Sequence, residues 1–69
     1  YYSGLAFNQK GVFKKAKNIL ESGLDFIIDD PELEINFNIQ LGEAYNGLGD
    51  MKKKEYYFSK AESALKNKK

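Results

Sequence analysis

Asn36, Gln40, Glu43 and Asn46 follow one another at steps of three and four residues, with Ile39 in the same row, so a helix would carry them on one face. An amide side chain holds a donor and an acceptor side by side, the complement of a peptide unit. Such a row could pair with the backbone of an extended peptide while Ile39 held its side chains. Tyr1, Leu5, Asn8 and Gln9 make a similar row earlier in the chain, with Leu5 as the apolar grip. The chemistry this offers is recognition by hydrogen bonding.

Groups that would make or break bonds are scarce. The chain has no histidine and no cysteine, which removes the usual general base, the commonest metal ligand and any thiolate site. Ser3, Ser22, Ser59 and Ser63 have no base to activate them. Asp29, Asp30, Glu32 and Glu34 lack the spacing of a calcium loop, and helix capping and the helix dipole account for them. The stretch from Gly47 to Lys52 lacks the glycine spacing of nucleotide-binding loops. The sequence therefore predicts no catalytic residue, no metal site and no cofactor.

Charge narrows the partners. All 11 basic residues are lysine, so no guanidinium fork is present for bidentate capture of phosphate or carboxylate. Residues 1–50 hold four Lys against eight acids, net −4, and residues 51–69 hold seven Lys against two Glu, net +5. Lys52, Lys53, Lys54 and Lys60, with Tyr56 to stack on a base, are the residues a nucleic-acid binder would use. The missing arginine and the acidity of the first 50 residues argue against that reading. No apolar run approaches the roughly 20 residues of a membrane span. A soluble chain is expected, with cytoplasm and periplasm both open. Its richness in Lys, Asn, Ile and Tyr is what an AT-rich bacterial genome produces.

Positioning the amide rows requires helices, and the sequence predicts four. The chain starts at Tyr1, without Met, inside a helical pattern, and so reads as a piece of a longer protein. The first helix ends near Lys10, where Gly11 breaks it. Phe13, Ala16, Leu20, Gly23, Leu24 and Ile27 then mark a buried helical face running to about Ile28. Asp30 is the expected N-cap of a third helix, with Pro31 at its first position and Glu32 and Glu34 at the positive end of its dipole. That helix buries Leu33, Phe37, Leu41, Ala44, Tyr45 and Leu48, and closes at Gly47 to Gly49. Asp50 caps the fourth, whose apolar residues are Met51, Tyr57, Phe58, Ala61, Ala64 and Leu65, ahead of a lysine tail at Lys66, Lys68 and Lys69. No segment alternates with period two. The chain is expected to be all-α, two stacked helix-turn-helix hairpins over residues 1–30 and 31–69.

Sliding the sequence against itself by 38 residues shows why two similar hairpins arise: Gly4, Ala6, Asn8, Gly11, Lys14 and Lys15 return as Gly42, Ala44, Asn46, Gly49, Lys52 and Lys53. Phe7 matches Tyr45, Phe13 matches Met51, Leu20 matches Phe58 and Gly23 matches Ala61. Gly42 lies inside a helix, where glycine costs about 1 kcal/mol against alanine. The expected compensation is a second helix backbone crossing close by, with Gly4 and Gly42 at the crossings of their hairpins.

These residues resemble the tetratricopeptide repeat. Its pattern of an early aromatic, Leu-Gly, a Tyr three residues on, a glycine turn, then an aromatic and an alanine fits Phe37, Leu41, Gly42, Tyr45, Gly49, Phe58 and Ala61. In the first unit Gly4, Phe7, Gly11, Ala16, Leu20, Gly23 and Pro31 fit. The unit is longer than the family's usual length of about 34 residues, Lys54 replaces a small residue and Ser3 replaces a leucine. The resemblance implies an α-solenoid whose first helices line a concave face, a non-catalytic scaffold or adaptor that binds a protein or peptide through Leu5, Asn8, Gln9, Asn36, Ile39, Gln40, Glu43 and Asn46. Members that clamp a terminal carboxylate use cations there, and only Lys10 stands near this face. Ile19, Phe26, Ile28 and Ile35 are expected to be buried between hairpins or against a neighbouring repeat, which Tyr56 and Tyr57 could also meet. Exposed repeat edges leave a homodimer open, as does the role of a plain spacer in a longer solenoid.

Overall fold

The computed structural model describes residues 2–27 and 29–67, and four helices carry them: α1 (Tyr2–Gln9), α2 (Phe13–Leu24), α3 (Pro31–Leu48) and α4 (Met51–Asn67). Tyr1 of the first amide row, Ile28 of the edge and Lys68 and Lys69 of the tail lie outside the described residues. Among those described there is no strand, as expected. None of these helices is long and apolar enough to cross a membrane.

The helix ends form where local chemistry dictates them. Gly11 and Gly49 take left-handed backbone angles, φ 77° and 82°, and the next residue in each case donates its N–H five residues back, Val12 to Phe7 O at 2.8 Å and Asp50 to Tyr45 O at 2.9 Å. The same closing motif thus recurs at the same repeat position. Asp30 caps α3 by accepting from Leu33 N–H at 3.1 Å, with Pro31 in the first position, and Asp50 accepts from Lys53 N–H at 3.2 Å at the start of α4. The expected run of α2 to about Ile28 is too long. Its helix stops at Leu24, where bonds from Phe26 N–H to Gly23 O and from Ile27 N–H to Leu24 O tighten the chain, and Asp29 reverses it at φ 57°. No glycine marks that turn.

α3 is the central element and packs against each of the other three helices, most extensively against α4. The core comprises Ala16 and Leu20 of α2, Phe37, Leu41, Ala44 and Tyr45 of α3, and Tyr57 of α4, with Phe7, Phe13, Leu24, Ile27 and Leu33 packed around them. Of the expected core, Leu48, Met51 and Leu65 are instead exposed: their spacing sets them beside the buried stripes, outside the packed core. Of the edge residues, Ile35 is buried, Ile19 half-buried and Phe26 83% exposed, since Phe26 falls in the turn after α2 and not on a packed face.

Glycines set the register of this packing. A Cβ on Gly4 would lie 2.5 Å from Leu20 of α2, and one on Gly42 would lie 2.7 Å from Phe58 of α4. Each first helix therefore offers a socket to its second, and Leu20 and Phe58 are repeat partners. The closest intruder is a side chain in both cases, which corrects the expectation of a crossing backbone. Two further sockets join the units: Gly23 of α2 receives Phe37 of α3, and Gly47 of α3 receives Phe13 of α2. Ten residues separate the two positions on either helix, in opposite chain order, so the pair pins α2 and α3 antiparallel. Lys54 stands half-buried where the equivalent Ala16 is fully enclosed, an irregularity that falls on the face of α4.

Candidate interaction surface

The predicted recognition residues converge only in part. Leu5, Asn8 and Gln9 of α1, Phe13 at the start of α2, and Ile39, Gln40 and Glu43 of α3 line one groove of about 290 Å³. Asn36 lies elsewhere, in a smaller hollow with Glu32, Ile35 and Leu65. Asn46 is exposed and lines neither. Phe13, expected as core, also lines the groove; the signal for this is its place directly after the turn that follows α1.

Asn8 plays a different part from the one its repeat with Asn46 suggests. Its amide N–H₂ donates to the main-chain oxygen of Gln40 and to the Gln40 side-chain oxygen, both at 2.9 Å. It therefore ties α1 to α3 within the lining of the groove. Its own Oδ1 is buried without a partner. The hydrogen-bonding groups left to an incoming chain are those of Gln9, the Gln40 amide and the Glu43 carboxylate, beside the apolar surfaces of Leu5, Ile39 and Phe13.

A second polar constellation joins α2, α3 and α4. The Glu21 carboxylate of α2 accepts from the Tyr45 hydroxyl of α3 at 2.6 Å and from the Tyr57 hydroxyl of α4 at 3.1 Å. The two tyrosine rings stack at 5.6 Å, nearly parallel, and Lys17 and Lys53 place their ammonium groups over Tyr45. Burial first, and donation to Glu21 second, hold the Tyr45 hydroxyl well above the usual tyrosine range and push Tyr57 up to about 12. Both hydroxyls therefore keep their protons near neutral pH and can donate to Glu21. Glu21 carries no sequence signal of this role, which emerges only when three helices meet.

A larger hollow, about 640 Å³, runs along α4 between Lys52, Glu55, Tyr56, Ser59, Lys60 and Ser63. All its lining residues belong to one helix. It is an open strip without an opposing wall, and the smaller two-walled groove is the better-formed place for a ligand.

The chain matches no protein-family model, and comparisons with curated proteins and with solved structures find no significant match.

Proposed function

We propose that this chain is a non-catalytic protein-interaction module, two tetratricopeptide-like hairpins of an α-solenoid, whose groove between α1 and α3 binds an extended peptide of a protein partner. The observation that carries the reading is the meeting of Leu5, Asn8, Gln9, Ile39, Gln40 and Glu43, drawn from two units of the repeat, around one groove. At about 290 Å³ it suits one or two side chains of a polypeptide. Small-molecule sites commonly span about 300–1,000 Å³ and enclose their ligand. The acidity of residues 1–50 and the lack of arginine remain poor credentials for a phosphate backbone.

The α4 strip supports a second reading, a nucleic-acid contact through Lys52 and Lys60 with Tyr56, which is 56% exposed, available for stacking. Backbone amide shifts separate the two. Titrating the isotope-labelled module with peptides selected from a displayed random library should move the signals of Leu5, Gln9, Ile39 and Glu43. If only a single-stranded oligonucleotide moves signals, at Lys52, Tyr56 and Lys60 and with steep loss as salt rises, the nucleic-acid reading replaces the peptide one.

A further inference from the structure

Glu43 is the single ionisable side chain among the residues that line the groove. It is exposed and has neither a hydrogen bond nor an ion pair within the described chain. Lys10 and Lys14, which adjoin Gln9 and Phe13 in sequence, are exposed and are not part of the lining. The remaining polar capacity comes from neutral amides, and the Asn8 N–H₂ donor is already spent on Gln40. The groove thus offers a peptide one negative charge, with apolar contacts from Leu5, Ile39 and Phe13 in the same lining.

From this charge we infer that the partner segment carries a lysine or arginine side chain, flanked by an apolar residue, and that Glu43 receives the cation. The inference rests on the peptide reading of the groove and adds its selectivity. The cation's alkyl stem would lie along Ile39 or Leu5 while its head remained hydrated beside the carboxylate, as long basic side chains do at wet apolar surfaces.

A library of random peptides displayed on phage, selected separately against the wild type, Glu43→Gln and Glu43→Lys, tests this. Glu62→Gln, which changes an exposed carboxylate on α4 paired with Lys66, is the control. Wild type and control should enrich Lys or Arg beside an apolar residue, Glu43→Gln should lose that preference, and Glu43→Lys should turn it toward Asp or Glu. For one selected cationic peptide, Glu43→Gln should weaken binding about three- to fivefold at low ionic strength, the range of an exposed ion pair. The difference should vanish near 1 M salt, where the screening length falls to about 3 Å.

If enriched peptides shift the Leu5 and Ile39 amides but show no cationic preference, or bind Glu43→Gln equally well, the charge inference falls and the groove reading survives. If they map to α4, or if nothing is enriched, both fall together. Sedimentation of the same variants covers the remaining occupant. A dimer that Glu43→Gln dissociates would place a second copy in the groove and overturn the assignment to a foreign peptide.

Discussion

Replacing Gly42 is the sharpest test of how the helices are held. A methyl group there would lie 2.7 to 2.8 Å from three atoms of the Phe58 ring, whereas carbon atoms rest at about 3.5–4.0 Å. The ring edge would have to retreat by roughly 1 Å, at the most extensive helix contact in the molecule. Gly42→Ala recovers about 1 kcal/mol of helix propensity but meets an overpacking cost of about 1–3 kcal/mol, so a modest net loss is expected. Gly42→Leu adds three more carbons to filled space with little further propensity gain, and should cost about 2–3 kcal/mol net. For a domain of this size that lowers the melting temperature by roughly 10–20 °C. Thermal unfolding followed by circular dichroism reads the shift, and Phe58→Leu in the Gly42→Ala background should recover stability by removing the ring that clashes. An unchanged melt for Gly42→Leu, or full additivity of the Gly42→Ala and Phe58→Leu changes, would refute the socket account.

Two other perturbations probe the polar interior. Asn38, only 1% exposed, has a side-chain oxygen without a partner, so Asn38→Leu, of the same branched outline, should leave stability unchanged or raise it by up to about 2 kcal/mol; a loss of more than about 1 kcal/mol in urea unfolding would mean the amide is satisfied. In the unfolded chain tyrosine gives up its proton near pH 10.0, whereas folded Tyr57 keeps its proton to about 12. Between those values the folded state binds more protons, so stability is full below pH 10.0 and is lost as pH climbs toward 12. Tyr57→Phe should be less stable at neutral pH by about 1 kcal/mol and show a flatter alkaline decline. Lysines titrate in both proteins, so the comparison isolates the hydroxyl, and parallel declines would exclude the Glu21 cluster as its cause.

What could be read from the sequence divides along physical lines. The starts of α3 and α4 and both left-handed glycine stops were legible because each depends on two to five neighbouring residues, as Asp30 with Leu33 and Gly49 with Tyr45 show. The end of α2 was not, because its turn uses an aspartate at positive φ in place of a glycine. Apolar spacing identifies the inner faces of α2, α3 and α4, yet it cannot say how far a neighbouring helix covers a face, and Leu48, Met51 and Leu65 lie beyond that cover. Asn38 shows the opposite error. It stands three residues before Leu41 and four before Gly42, on the buried stripe, and its polarity alone hid it.

The groove depends on a break in the repeat. Both units carry the asparagine three residues before the stop glycine, but only Asn8 has a helix of the other unit beside it, and it spends its donors on Gln40. That bond fixes α1 against α3 and turns a sequence repeat into a single groove, with Asn46 left to solvent. Asn8→Ala would remove the tie and leave the Gln40 side chain free to swing, while Leu5 and Ile39 would keep their apolar contacts. The change should therefore weaken peptide binding more than folding: a variant with a near-native melt and tenfold poorer binding, about 1.4 kcal/mol, is the expected result. Unchanged affinity would show that the groove needs no tie between its walls, and that Asn8 serves packing alone.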